Sequence, residues 1–225
     1  PILLTFDDAY SDHFYNVFPI LQKNNIQGVF FPPAEAISNN KVLDVNKIHF
    51  ILACIKNINI LIDEISNYII DRKDAYNLKD ENFYFNKLAI ANDWDIKEVI
   101  YVKRMLQNEL PIGLRKIIVN NLFKKYVSSD EKSFANDLYM NINQLKTMSE
   151  NNMVIGGHCY SHPWLETLTP SDQEKEIDLT RDFLSKFGVD LGMHVGANKL
   201  SKGGKLEAEM ESNWSHSRSE TRRGR

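Results

Sequence analysis

The apolar run Ile2-Leu3-Leu4-Thr5-Phe6 ends on two adjacent carboxylates, Asp7 and Asp8. The run predicts a strand buried on both faces, the kind found in parallel sheets with helices packed over them. Neighbouring side chains on a strand point to opposite sides, so the two aspartates gain different environments only if the chain bends there. Side by side, two ionised carboxylates repel each other unless a cation or a proton separates them. A strand end that delivers such a pair is where α/β enzymes keep their chemistry. The plainer alternative is that Asp7 or Asp8 caps a helix beginning near Tyr10.

The next segment supports a parallel sheet. From Asp12 to Asn24 the apolar residues Phe14, Val17, Phe18, Ile20 and Leu21 suit an amphipathic helix, with Pro19 predicting a kink or a helix start. Asn24-Asn25 closes it, and Ile26 to Phe31 reads as a second buried strand stopped by Pro32-Pro33. Strand, helix and strand within about thirty residues predict a βαβ unit with a right-handed crossover.

From about 34 to 140 the chain changes character. It is rich in Ile, Asn and Lys, nearly free of Gly, and helically periodic in blocks around Ile48–Ile55, Ile96–Leu106 and Ile117–Phe123, the last preceded by Pro111. This predicts a mostly helical insertion. A short helix, Asn143 to Asn151, then leads into a buried strand, Met153-Val154-Ile155. Gly156-Gly157 and His158-Cys159-Tyr160-Ser161-His162-Pro163-Trp164-Leu165 follow. A further helix starts at Thr169-Pro170 and runs to Gly188.

Of 225 residues, 43% are hydrophobic and 25% charged, enough for a domain with a proper core. A net charge of -3 offers no nucleic-acid surface, and no apolar run is long enough to span a bilayer. Two cysteines, Cys54 and Cys159, make no disulfide framework, which mildly favours a reducing compartment. The chain begins with Pro inside a strand, so a processed or incomplete N-terminus is expected and localisation is left open.

His158 and His162 are separated by three residues, a spacing common in zinc sites. Gly156-Gly157 precede them and Pro163 biases His162 away from the helical region, so both are expected on a loop leaving the third strand. Parallel strands place that loop on the same face as the aspartates. Two imidazoles and one carboxylate would give a zinc-type ion three ligands and leave a position for water, whose proton a second carboxylate can take.

Thr5-Phe6-Asp7-Asp8-Ala9-Tyr10-Ser11-Asp12 resembles the first motif of the polysaccharide deacetylase family, the NodB-homology carbohydrate esterases. Ile155-Gly156-Gly157-His158-Cys159-Tyr160-Ser161-His162-Pro163-Trp164-Leu165 resembles its second. The resemblance covers about 2–31 and 139–188. It implies an α/β fold, a distorted (β/α) barrel that is partial here, and a hydrolase of non-peptide carbon–nitrogen bonds that removes an N- or O-acetyl group from a carbohydrate. By the family's pattern Asp7 is the general base, while Asp8, His158 and His162 hold a divalent metal, usually zinc.

Three departures stand out. Ala9 replaces the usual Gly after the aspartates, a small change if φ there is negative. Cys159 stands where Ser, Thr or Gly is usual; a small buried side chain is the expectation, a further metal-binding group the alternative. The family's third motif, an Arg or aromatic beside Pro-Tyr-Gly, does not follow Gly188, and His194 and His216 lack the family's context. The expected organisation is therefore a partial deacetylase domain at 1–190 and an atypical, disordered or non-native tail at 191–225, with weak or no activity. A non-catalytic module that keeps the metal loop to bind a carbohydrate or a partner, and a metallohydrolase acting on another bond, are the competing readings.

Overall fold

The computed structural model describes residues 2–187; the tail expected from 191 onward lies outside the described residues. The described residues divide into two compact units, one of residues 2–38 with 139–187, the other of residues 39–138. No helix among the described residues is long and apolar enough to cross a membrane.

The first unit is built on a three-stranded sheet of β1 (Leu4–Asp7), β2 (Gly28–Phe31) and β3 (Val154–Ile155), in that order. All three strands are parallel. Leu4 pairs with Gly28 and Asp7 with Phe31; Val29 pairs with Val154 and Phe30 with Ile155. The predicted strands and their parallel relation are thus present, in an α/β arrangement. One expectation is corrected. β1 is not buried on both faces: Leu4 and Phe6 are half-buried while Thr5 and Asp7 are exposed, and Ile2 just before it is 90% exposed. β1 lies at an edge of the sheet, while β2, with Gly28, Val29 and Phe30 buried, is its central strand.

Between β1 and β2, a π-helical turn (His13–Val17) runs into α1 (Phe18–Lys23). Pro19 has no N–H to give to the preceding turn, and the Phe18 N–H reaches back five residues to the His13 carbonyl. The helix start anticipated at Pro19 is therefore found, with a widened turn before it. Asn25, at φ 52°, ends α1: its N–H donates to Gln22 O (3.1 Å) and the Ile26 N–H to Leu21 O (2.9 Å). That is the Schellman closure Asn can make because it tolerates the left-handed region.

Phe18 and Leu21 of α1 pack inward with Phe30, which stacks on Phe6 at 4.8 Å between ring centres. Leu145 and Met148 of α9 (Ile142–Glu150) and Phe183 and Leu184 of α10 (Pro170–Leu184) are also buried. Both helices start as their sequences dictate. Asn141 and Gln144 make a reciprocal capping box on α9. Thr169 accepts the Asp172 N–H on α10, with Pro170 in its first turn. Between β2 and the second unit lies α2 (Ala34–Asn39).

The second unit holds α3 (Asp44–Cys54), α4 (Ile58–Tyr76), α5 (Glu81–Leu88), α6 (Lys97–Arg104), α7 (Ile112–Tyr126) and α8 (Glu131–Leu138). Ile51, Leu61, Ile65, Tyr101, Leu114 and Ile118 are fully buried, the period expected of packed amphipathic helices. Lys47 is buried in the same unit and satisfied by Glu131 (2.8 Å) and Asn120 (2.7 Å), so it reads as a paired interior charge.

Candidate metal centre

Parallel pairing puts the C-terminal ends of β1, β2 and β3 along one edge, and the chemistry-bearing residues leave from that edge. The Asp8 N–H donates to Phe31 O (3.2 Å), one step past the β1–β2 ladder. Asp8 and Ala9 then both take left-handed backbone, at φ 67° and 55°. This is the bend the adjacent carboxylates require: Asp7 stays exposed at the strand end while Asp8 turns inward and is half-buried. Asp8 faces two imidazoles and Tyr10 rather than a helix start, so the capping alternative does not describe it.

The condition under which alanine would be a small change there, a negative φ, is not met: Ala9 is left-handed. Ala9 is buried, its carbonyl accepts the Met140 N–H (2.8 Å), and Tyr10 bridges Tyr139. Alanine in this conformation costs roughly 1–2 kcal/mol where glycine costs nothing. A β-branched side chain is worse still. Ala9→Val is expected to lower the unfolding free energy by about 2–3 kcal/mol in urea titrations; a loss under about 1 kcal/mol would contradict the strained turn.

The histidines sit on the loop leaving β3. The Gly156 N–H extends the ladder to Phe30 O (2.8 Å). A Cβ at Gly156 would lie 2.5 Å from a Phe31 ring carbon, and one at Gly157 would lie 2.7 Å from Thr180 Cγ2, so both positions lack room for a side chain. Gly156→Ala is expected to cost about 1–3 kcal/mol by forcing the Phe31 ring aside, readable as a lower urea midpoint; an unchanged midpoint would contradict that contact. Beyond them, Cys159 and His162 are both left-handed, at φ 59° and 57°. His162 therefore lies off the right-handed helical region and on a loop, as Pro163 predicts. The proline ring disfavours the right-handed helical region, and the bend returns the His162 ring to His158.

The result is a cluster of three donor atoms. His158 Nε2 and His162 Nε2 are 3.1 Å apart, and Asp8 Oδ1 lies 3.5 Å from the first and 3.7 Å from the second. A tetrahedral ion with ligands at about 2.0–2.1 Å has ligand–ligand edges of about 3.3 Å, which these separations bracket. Asp8 Oδ1 is buried without a hydrogen-bond partner, while Oδ2 receives the Tyr10 hydroxyl at a long 3.4 Å. A buried carboxylate oxygen left open toward two imidazole nitrogens is a donor set that fits a divalent cation. Asp8, His158 and His162, named from the sequence, come together here; Asp7 lies beside them as the exposed neighbour. Cys159 is not one of the grouped donors, and burial, with Glu176 nearby, pushes its thiol up to about 11.

The electrostatics follow the burial. For Asp8, burial opposes ionisation, yet His158, His162 and Tyr10 outweigh it and leave its pKa below the ordinary 3.8. Burial pulls His162 below 6.5, helped by the neighbouring His158 and opposed by Asp8 and Asp7. His13 is lowered too, first by burial and against Asp8, Asp12 and Asp7; its ring sits among Phe6, Tyr10 and Phe30. The sign for metal-free protein is fixed by these directions. Below pH 6.5 the unfolded chain protonates these histidines before the folded one does, so stability falls as pH drops from 6.5 toward their lower folded-state values. Urea midpoints with chelator present are expected to be lower at pH 5.5 than at pH 7.5; a higher midpoint at pH 5.5 would contradict the buried, neutral rings.

Two contributors were not legible in the sequence. Glu176 of α10 accepts hydrogen bonds from the histidine loop, and Tyr10 supports Asp8. A glutamate on the polar stripe of an amphipathic helix carries no signal of what it reaches.

A parallel sheet edge thus presents one carboxylate and two imidazoles to a common point, a group that could hold a metal ion. The polysaccharide deacetylase family model matches residues 1–58 and 122–195, more than half of the chain. The protein belongs to that family, a family of carbohydrate deacetylases and so of hydrolases. The match ends a few residues past Asp190, and its unmatched middle, 59–121, falls within the helical unit. No curated protein and no solved structure matches the chain.

Proposed function

We propose that the protein is a metal-dependent deacetylase that hydrolyses an N- or O-acetyl group from a carbohydrate, on a partial (β/α) barrel interrupted by the helical unit. The observation that carries this is the convergence of Asp8 Oδ1, His158 Nε2 and His162 Nε2 beside the exposed Asp7, in a chain of this family. Asp8, His158 and His162 would hold a divalent ion, zinc by the nitrogen-rich donor set. Such an ion supplies Lewis acidity toward the acetyl carbonyl and lowers the pKa of water.

The chain's own residues do the rest. Asp7 is exposed at the end of β1 and turned apart from Asp8 by the left-handed bend, so its carboxylate is free to accept the proton of the attacking water. Asp8 stays ionised because the imidazoles and the Tyr10 hydroxyl favour its charged form. His162, held neutral by burial, keeps a lone pair available as a ligand.

The test is acetate release from N-acetylglucosamine oligomers and from an O-acetylated glycan. Release is expected to stop with a chelator and to return with added zinc. Release that is indifferent to the chelator would overturn metal dependence. Zinc bound at one equivalent with no acetate from either substrate would favour the non-catalytic binding module instead.

A further inference from the structure

We propose that Glu176 is a positioning residue that sets the separation of His158 and His162 and thereby the affinity of the centre for its ion. The proposal rests on the metal-site reading above and assigns a role to a residue outside the two motifs.

Glu176 stands on α10 and reaches the middle of the histidine loop. Its Oε2 accepts the backbone N–H groups of Tyr160 (3.0 Å) and Ser161 (2.8 Å), and its Oε1 accepts the Ser161 hydroxyl (2.6 Å). Those two residues lie between the histidines. The opposite side of the same segment is held as well: the carbonyls of Cys159 and Tyr160 accept the N–H groups of Ala34 (3.3 Å) and Glu35 (2.7 Å) at the start of α2.

The loop needs such a clasp. Cys159 and His162 occupy left-handed backbone, which non-glycine residues keep only where surrounding contacts over-determine it. The two imidazole nitrogens also meet at 3.1 Å, a spacing that depends on where the loop between them is held. A loosened loop would no longer fix that spacing. Glu176 opposes that with three bonds from one carboxylate, of the strong charge-assisted kind. Its own helix is fixed against the loop, where α10 comes so close that Thr180 Cγ2 leaves no room for a Cβ at Gly157.

The experiment is Co2+ titration of the full chain, followed by visible absorption and by competition with a chelator, for wild type, Glu176→Ala, Glu176→Gln and Glu176→Asp. Glu176→Ala is expected to bind about 10- to 100-fold more weakly, the usual loss when a ligand's support is removed, with an altered absorption envelope. Glu176→Gln keeps an acceptor oxygen at the same reach for both N–H groups and is expected within about 3-fold of wild type. Glu176→Asp keeps the charge but falls short of the loop, and is expected to bind like the alanine variant. Urea unfolding in chelator separates this from loss of fold. If Glu176→Ala does not fold, the Gln and Asp pair decides. Equal affinities for all folded variants, or a better Asp than Gln variant, would overturn the positioning role while leaving the metal site standing. A wild-type chain that binds no Co2+ would overturn the metal-site reading and this proposal with it.

Discussion

Asp7→Asn is expected to reduce kcat/KM for acetate release by about 10²- to 10⁴-fold, the range a positioned general base contributes, while metal content stays at the wild-type level. The amide has the shape of the carboxylate but cannot accept the proton of the attacking water. Because Asp7 is exposed, the substitution should move stability by no more than about 0.5 kcal/mol. Acetate kinetics and metal analysis on the same preparations check this. A variant that loses its metal with its activity would place Asp7 among the ligands and undo the division of labour between the adjacent carboxylates.

His158→Ala carries the second large effect, in the opposite compartment. It removes one of three donors, so zinc affinity is expected to fall by more than about 100-fold, beyond what losing a ligand's support alone costs. Activity should fall with it at ordinary zinc concentrations. Unfolding in chelator should change by no more than about 1 kcal/mol, since the ring is only half-buried. Competition titration against a chromophoric chelator measures the loss. Retained affinity would mean that the ion sits elsewhere.

The site was legible in the sequence to the extent that it depends on residue type and strand order. Asp7-Asp8 after an apolar run and the His158/His162 pair after Gly156-Gly157 mark two strand ends, and parallel pairing brings them together. The backbone that aims the side chains was not legible. Asp8, Ala9, Cys159 and His162 are left-handed without being glycine; Asp and His tolerate that conformation better than most, but nothing in the local sequence announces it at any of them. Tertiary contacts, such as Met140 on the Ala9 carbonyl and Glu176 on the loop, decide instead. The exposed face of β1 escaped for a related reason. The composition Ile-Leu-Leu-Thr-Phe describes a strand but not whether it lies at the middle of a sheet or at its border. The widened turn before Pro19 follows from a missing N–H, which the sequence did announce as a kink.

X-ray absorption at the zinc edge of the full chain loaded with one equivalent of zinc tests the central claim most directly. Two imidazole nitrogens plus oxygen donors at about 2.0–2.1 Å are predicted, with the imidazole signal reduced in His158→Ala and unchanged in Asp7→Asn. A sulfur donor at about 2.3 Å, or a shell without imidazole, would contradict the Asp8, His158 and His162 centre.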